Sequence, residues 1–336
     1  MYYYPFGLTI HLEQAAQNNL PAQPYKYNGI GLEKSFGLET YEAFYRGLDP
    51  QLGRFNSIDP RAATSFSISP YASMGNNPVS NVDYLGDIFT FANAGLQNSY
   101  NNLRSDNNSR MAGYTKELGG LDLKTESGAK RGEELTKLIN AHAEFNTQLD
   151  AMEQSSAEFH ISNEAAPRGF QGGADYNWSE GRVKFSMGSN SVGSGILAHE
   201  LRHGYGYLIG ELSGSRYDDP LYDMTDEVVA YKTASLFGTE SDAIKFGVGS
   251  WGIKEFAGSI ETNGYRNLKG REVSLTINTP ASILINYSKD GSLNNFIKSS
   301  NNANLTVGEA ISSFNQITKS TQGSERYLWG NQLKRK

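Results

Sequence analysis

Two of the five histidines in the chain, His199 and His203, lie four positions apart, and Glu200 directly follows the first of them. On an α-helix, residues i and i+4 share one face, so both imidazoles can reach one Zn²⁺ at roughly 2.0–2.1 Å. Glu200 would then activate a water molecule at the metal as a general base. The residues just before His199 are apolar and suit a buried helix. The spacing therefore predicts a catalytic metal site on a helix over residues 191–209.

The third metal ligand is predicted on a second helix. A catalytic zinc site usually takes three protein ligands and keeps one position open, and a chain without cysteine must supply them from histidine and carboxylate side chains. Glu227 follows His203 at a distance that lets the chain turn back and bring a helix over 225–237 alongside the first. Thr225 is predicted as the N-cap of that helix. Three other side chains are alternative third ligands: Asp226, Asp223 and His160.

Each of these assignments has a structural alternative. The two histidines could be incidental residues on the polar face of a helix, and Glu227 could serve only the helix dipole. A fourth protein ligand such as Asp226 would close the site and leave a non-catalytic zinc-binding module, structural or partner-binding. An open site could also hydrolyse a non-protein substrate. Only catalysis makes Glu200 indispensable, so this residue distinguishes an enzyme from a binding module.

Charge and composition disfavour several classes of function. The formal net charge is −6, whereas nucleic acids and anionic membranes both favour a basic protein surface. The first residues lack the basic segment and apolar run of a signal peptide, and no apolar stretch reaches the length of a membrane span. We therefore expect no nucleic-acid partner, no transmembrane segment and no signal peptide on this chain.

Composition divides the chain into three parts. Residues 1–87 are rich in Tyr, Gly, Pro and Asn, with frequent turn dipeptides between short aromatic runs, which predicts a β-rich segment. Residues 88–130 are strongly polar, which is typical of a linker. Residues 131–336 mix helical and strand-like periodicity and carry the metal motif. The catalytic part is expected at about 155–240.

Periodicity also assigns the elements around the motif. Apolar residues at helical spacing predict a helix over 131–154, and alternation predicts a hairpin over 175–188. Strand-like runs follow at 272–277 and 283–287, and a helix is predicted near 307–317. Helices and strands are therefore expected to alternate within one part of the chain.

Several spaced motifs in the first part of the chain occur in a recognisable order: Tyr25-Lys26-Tyr27-Asn28-Gly29, Tyr45-Arg46-Gly47-Leu48-Asp49-Pro50, Gly53-Arg54-Phe55, Ser57-Ile58-Asp59-Pro60 and Gly75-Asn76-Asn77-Pro78. Together they resemble the end of the core module of rearrangement hot-spot (RHS) repeat proteins. In that family a large β-rich shell encloses a variable C-terminal toxin. The resemblance implies a bacterial toxin, secreted or delivered into a target cell by a specialised secretion system, and a cognate immunity protein.

The RHS resemblance also bears on self-cleavage. Such cores often end in Asp-Pro-x-Gly near a cleavage point, and the corresponding stretch here is Asp83-Tyr84-Leu85-Gly86. The resemblance makes Asp59 and Asp83 candidate self-cleavage carboxylates, whereas Tyr84 in the place of proline counts against cleavage. The alternative role of both aspartates is to cap turns.

The histidine motif followed by Glu227 on a second helix resembles the gluzincin branch of the zincin metallopeptidases. That branch implies a zincin-like α+β fold with the motif helix beside a small mixed sheet, and a polypeptide bound along an edge strand, here predicted over 182–187. Tyr231 stands where thermolysin-like members have an aspartate, so the first histidine must be supported differently. The sequence does not choose among three candidate oxyanion-stabilising residues: Tyr205, Tyr207 and Arg216.

Both resemblances lead to one expected function. The sequence predicts a zinc-dependent metalloprotease that acts as the C-terminal toxin of an RHS-type polymorphic toxin. Zn²⁺ would be held by His199, His203 and Glu227, and Glu200 would activate the water that hydrolyses a peptide bond.

Overall fold

A computed structural model describes residues 2–10, 27, 31–34, 39–42, 46–58, 69–74, 89–155, 157–167, 170–214, 219–263, 265–287, 292–299, 302–318, 327–330 and 333. The strands are Tyr2–Tyr3 (β1), Thr9–Ile10 (β2), Gly31–Glu33 (β3), Thr40–Glu42 (β4), Gly47–Asp49 (β5), Arg54–Phe55 (β6), Phe89–Phe91 (β7), Phe159–Ser162 (β8), Ala174–Asn177 (β9) and Arg182–Ser186 (β10). The helices are Ala94–Gly119 (α1), Glu126–Gln154 (α2), Ser194–Ile209 (α3), Met224–Ser235 (α4), Glu240–Asp242 (α5), Ile253–Asn263 (α6), Ala281–Tyr287 (α7), Ser292–Ser299 (α8) and Val307–Thr318 (α9). None of these helices combines the length and the apolar character that crossing a membrane requires.

The first six strands form two small antiparallel sheets, β1–β2 and β3–β4–β5–β6. A cluster of buried side chains packs on the larger sheet: Tyr41, Leu48, Phe55 and Met74. Short strands joined by turns are the structure that the composition of residues 1–87 predicts. The candidate self-cleavage carboxylates Asp59 and Asp83 lie outside the described residues.

A second four-stranded sheet positions the motif helix. Its strand order is β7-β8-β10-β9, with the first three strands parallel and β9 antiparallel. Because side chains along a strand point to opposite faces at period two, one face collects buried apolar residues: Phe89, Phe91, Phe159, Ile161, Val183 and Phe185. The ring of Phe159 stacks between those of Phe89 and Phe185, at centroid distances of 5.2 and 6.1 Å. The predicted hairpin over 175–188 is confirmed as β9 and β10.

A long helix, α1, occupies most of the segment predicted as a linker over 88–130, so that prediction is wrong. The buried residues of α1 include several at helical spacing: Leu96, Tyr100, Leu103, Asn107 and Tyr114. The Tyr100 hydroxyl donates to Glu153 of α2 at 2.5 Å, which satisfies a polar group inside the contact. Few residues of α1 are apolar, yet those that enter the core lie on one face. The helix predicted over 131–154 is confirmed as the longer α2.

Helix α3 lies close against the sheet because Gly204 has no side chain. A Cβ atom at Gly204 would stand 2.8 Å from Cε1 of Phe185 and 2.9 Å from Cε of Met152. A larger residue would therefore push α3 away from both β10 and α2. The helix ends at Gly210, whose φ of 81° is left-handed, as is common after helices. The helix predicted over 191–209 is confirmed, with its start at Ser194.

The N-cap of α4 is Asp223 and not Thr225, so the predicted cap is wrong. Asp223 accepts from the backbone N–H of Thr225 at 2.6 Å, and Asp226 accepts from the N–H of Asp223 at 2.7 Å, within a capping box. The second oxygen of Asp223 accepts from the N–H of Leu275 at 2.5 Å. The two carboxylate oxygens of Asp223 accept hydrogen bonds from the helix start and from a distant loop. A threonine has a single hydroxyl oxygen and could not serve both.

The strands predicted at 272–277 and 283–287 are absent from the structure, and both predictions are wrong. Residues 281–287 form α7, and 272–277 are irregular. Helices α7, α8 and α9 enclose a separate apolar cluster that includes Leu275, Leu284, Leu293, Ile297, Val307, Ile311 and Phe314. The β-branched residues in 283–287 favour a strand locally, but burial in this cluster selects a helix. The helix predicted near 307–317 is confirmed as α9.

Candidate metal centre

His199 and His203 lie one turn apart on α3, and their imidazoles meet the carboxylate of Glu227 on α4. Nε2 of His199 lies 3.2 Å from Nε2 of His203 and 3.4 Å from Oε2 of Glu227. Nε2 of His203 lies 3.2 Å from Oε1 of Glu227. The three side chains are 12%, 9% and 3% exposed, respectively. The structure thus brings the three ligands predicted from sequence to one point.

These separations fit a tetrahedral metal ion. Two ligand atoms about 2.05 Å from Zn²⁺ at the tetrahedral angle lie about 3.3 Å apart. The two imidazole nitrogens are 3.2 Å apart, and each lies 3.4 or 3.2 Å from a different oxygen of the Glu227 carboxylate. Oε2 of Glu227 is buried and accepts no hydrogen bond from the described residues. Two imidazoles and one carboxylate are a ligand set that hydrolytic zinc sites use. The side chains present therefore fit a zinc ion held by three protein ligands.

Tyr222 and the two histidines keep Glu227 charged. Burial alone would favour the neutral acid, but His203 and His199 outweigh it and hold the pKa of Glu227 below its ordinary value. The Tyr222 hydroxyl donates to Oε1 of Glu227 at 2.5 Å. Burial and the adjacent carboxylate raise the pKa of Tyr222, so its hydroxyl remains a donor. Tyr222 is thus a positioning residue for the third ligand, and the sequence analysis missed it.

The carboxyl group of Glu200 lies beside the ligands and is 6% exposed. Burial raises its pKa to about 7, with His199 lowering it and Glu227 raising it. A carboxyl group with a pKa near neutrality is well matched to proton transfer. Glu200 lines the space in front of the ligands together with His199 and His203. Its place beside the candidate ligands agrees with the general base predicted from the sequence.

Two cavities meet at this point. One, of about 350 Å³, follows the C-terminal half of α3 past His203 to Tyr207. The other, of about 430 Å³, follows the N-terminal half past Gly195 and Ile196. Both are lined by the same central residues: Phe170, Gly172, His199, Glu200 and Tyr265. The two cavities therefore adjoin along α3 on both sides of the candidate ligands, and together they are called the groove below.

An aromatic side chain supports the first histidine. The ring of Tyr231 packs edge-on against His199, with the ring centroids 4.6 Å apart and an interplanar angle of 73°. The hydroxyl oxygens of Tyr231 and Tyr265 lie 3.4 Å apart. At the position where thermolysin-like sequences have an aspartate, this chain thus holds the imidazole by a ring contact.

The alternative third ligands lie away from the group. Asp223 and Asp226 are occupied by the capping box of α4. His160 lies on β8 with Nδ1 2.8 Å from the Thr90 hydroxyl, and burial lowers its pKa to about 4. Within the described ranges, the group of close ligand atoms contains His199, His203 and Glu227 and no fourth histidine or acidic residue. Among the described residues, a tetrahedral ion held by this group would thus have three protein ligands.

The strand predicted to bind substrate, over 182–187, is not at an edge, and this prediction is wrong. β10 lies between β8 and β9, whereas β7 and β9 are the edge strands of the sheet. Ala174 at the start of β9 lines the first cavity. The alternation of apolar and polar residues predicts that the two strands of the hairpin pair with each other. It does not predict that β8 also pairs with β10 on its other side.

The three oxyanion candidates have different locations. Tyr205 contacts the guanidinium group of Arg202, at 5.6 Å from ring centroid to Cζ, and Tyr207 is buried beside the first cavity. Arg216 lies outside the described residues. Tyr265 lines both cavities and was missed, because no pattern in the sequence links it to the motif. Tyr265 lies beyond the catalytic part predicted at about 155–240, which stays a prediction.

Replacing Gly172 by alanine is expected to displace Glu200 without unfolding the protein. A Cβ atom at Gly172 would lie 2.5 Å from Oε1 and 2.9 Å from Cδ of Glu200. The flexible carboxylate would move aside, so the peptide hydrolysis that the sequence predicts should fall roughly tenfold or more, with the predicted zinc content and the melting temperature unchanged. Activity assays and metal analysis test this, with Gly258→Ala as control because a Cβ atom there meets nothing within 4 Å. Unchanged activity would contradict the close contact.

No protein-family model matches this chain, and no similar protein was found among the curated proteins or the solved structures. The RHS and zincin resemblances are therefore resemblances of sequence motifs.

Proposed function

We propose that the chain is a zinc-dependent peptidase and acts as the C-terminal toxin of an RHS-type polymorphic toxin. The observation that carries this proposal is the joint arrangement of three buried ligands and Glu200 at the middle of an open groove. A closed structural site would need a fourth protein ligand, and Asp226, the candidate for it, is occupied by the cap of α4.

The residues of the chain have distinct roles in the proposed reaction. When bound, zinc polarises the scissile carbonyl and makes water more acidic. Glu200 takes a proton from the attacking water as the new C–O bond forms, and gives it to the amine as the C–N bond breaks. The Tyr265 hydroxyl, which burial and Glu227 keep protonated by raising its pKa, donates to the carbonyl oxygen as that oxygen gains charge. Tyr222 keeps the Glu227 carboxylate in place.

The shape of the groove supports a polypeptide substrate. It continues on both sides of Glu200, as an extended chain requires. The N–H of Ser186 donates to the Gly173 carbonyl. Because backbone groups alternate in direction along an antiparallel strand, Ala174 turns its own groups away from β10. A substrate strand could pair there with the edge of β9.

The toxin assignment depends on the RHS motifs in residues 1–87. These motifs come before the peptidase part in the sequence, in the same order as the shell and the toxin of RHS proteins. It implies delivery into a target cell and a cognate immunity protein that covers the groove. Expression of the chain inside bacteria is expected to arrest growth, and Glu200→Gln should relieve the arrest. If the wild-type protein and Glu200→Gln were equally toxic, peptidase activity would not be the cause of the growth arrest.

The direct test measures zinc and hydrolysis in the purified full chain. We expect stoichiometric zinc, and cleavage of a proteome-derived peptide mixture that 1,10-phenanthroline abolishes and added zinc restores. A folded protein that binds no zinc, even after its addition, would overturn the proposal. Stoichiometric zinc without cleavage of any peptide would instead favour a binding module or a non-protein substrate.

A further inference from the structure

The cavity on the C-terminal side of the metal ligands has an acidic wall. Along α3, Tyr207 follows His203 by one turn, about 6 Å, and both line this cavity. Beyond the helix, Leu212 and Asp219 complete the wall. A substrate side chain that enters this cavity beside His203 would therefore share it with Tyr207, Leu212 and Asp219.

Hydrogen bonds fix the orientation of the Asp219 carboxylate. Its Oδ1 accepts from the Ser213 N–H at 3.1 Å, the Ser213 hydroxyl at 2.9 Å and the Leu221 N–H at 3.0 Å. Among the described residues, its Oδ2 accepts only from the Ser213 N–H, at 3.1 Å. Oδ2 therefore retains most of its capacity to accept a hydrogen bond from a ligand.

The cavity offers this carboxylate no cation of its own. Three carboxylates line it, those of Glu200, Glu227 and Asp219, and no lysine or arginine does so among the residues that the structure describes. Asp219 takes part in no ion pair with a described residue. The metal would compensate Glu227, and catalysis needs Glu200. Among the residues that the structure describes, the Asp219 carboxylate is thus the one of the three without a cationic partner or an assigned role.

The surroundings of Asp219 agree with an uncompensated charge. Removal from bulk water raises the pKa of Asp219 to about 7, although the Ser213 and Leu221 hydrogen bonds and the more distant Arg271 lower it. The Arg271 guanidinium donates instead to the Pro220 carbonyl at 2.7 Å. An arriving cation would stabilise the ionised form of Asp219.

We infer that this cavity selects a lysine or arginine side chain of the substrate, through an ion pair with Asp219, at a fixed position next to the scissile bond. The aliphatic stem of either side chain would lie along Tyr207 and Leu212, and its charged end would reach Oδ2. This inference depends on the proposed peptidase function, and it adds the class of residue that the enzyme recognises.

The test compares cleavage sites of wild type, Asp219→Asn and Asp150→Asn in the zinc-loaded full chain. Asparagine keeps Oδ1 for Ser213 and Leu221, so the fold should be retained. Asp150→Asn removes an equal charge from a side chain on α2 that is 49% exposed. Mass spectrometry of a digested proteome-derived peptide mixture gives residue preferences, and butylguanidinium binding, measured by calorimetry, gives a readout without turnover.

We expect wild type and Asp150→Asn to prefer a basic residue at one position, and Asp219→Asn to lower that preference by roughly tenfold to a hundredfold. Butylguanidinium should bind wild type and bind Asp219→Asn several-fold more weakly. Cleavage without basic preference, or with a preference that Asp219→Asn leaves intact, would overturn the inference while the peptidase function stands. Absence of cleavage would refute the peptidase function, and equal butylguanidinium binding by both proteins would then refute the acidic cavity as well.

Discussion

Replacing Glu200 by glutamine is expected to lower kcat/KM for peptide hydrolysis by about 10²–10⁴-fold, the usual contribution of a positioned general base. Glutamine keeps the size of the side chain and cannot accept the proton of water. Glu200 is not among the three ligands, so zinc content should remain at the wild-type value. Peptide cleavage assays and metal analysis on the same preparations measure both quantities.

The control for this experiment is Glu164→Gln, the same substitution at a side chain that is 61% exposed and pairs with Lys184. It should retain wild-type activity. If Glu200→Gln hydrolysed peptides at the wild-type rate with its zinc bound, Glu200 would not be the base, and the mechanism would need another proton acceptor. Loss of zinc in this variant would instead make Glu200 part of the ligand set.

Glu227→Ala is expected to weaken zinc binding by at least about 10²-fold, since loss of groups that merely support ligands already costs 10–100-fold. Two imidazoles would remain, on one helix. Because zinc binds the folded state, saturation at about 100 times Kd stabilises the protein by about 2.7 kcal/mol, and this contribution should disappear in the variant. Zinc retained after dialysis against a weak chelator, and thermal unfolding with and without zinc, measure both effects.

Asp226→Asn is the informative control, because Asp226 is the neighbouring rival ligand and serves the cap of α4. It should keep zinc, although the altered cap lowers stability. The opposite result, with zinc retained in Glu227→Ala and lost in Asp226→Asn, would transfer the third ligand to Asp226. The observed distances around Glu227 would then describe a different state from the metal-bound one.

The parts of the site that could be predicted are those that local geometry determines. His199 and His203 face one point because of helical periodicity, which the sequence displays. Glu227 was predictable as an acidic residue on the next helix. The sequence could not predict the contribution of Tyr222, Tyr265 and Asp219. Their positions depend on how loops return to the groove, and the periodicity of the sequence carries no information about that.

The errors in the fold have a similar origin. The polar composition of α1 suggested a linker, although Leu96, Tyr100 and Leu103 already have helical spacing. The β-branched residues of 283–287 suggested a strand until burial in the C-terminal cluster was known. The cap of α4 was misplaced because Asp223 also serves Leu275, a residue far along the chain. In each case tertiary contacts overruled a local preference.

Two backbone N–H groups of one late segment donate hydrogen bonds at the ends of both ligand-bearing helices. The N–H of Ile277 donates to the Gly210 carbonyl at the end of α3, and that of Leu275 donates to Asp223 at the start of α4. A recombinant chain that ends near residue 240, after the last candidate metal ligand, would lack both of these hydrogen bonds and Tyr265. A minimal fragment should therefore end beyond residue 277. Proteolytic cleavage within residues 275–277 would release the ends of both ligand-bearing helices and so weaken metal binding at a site that it does not touch.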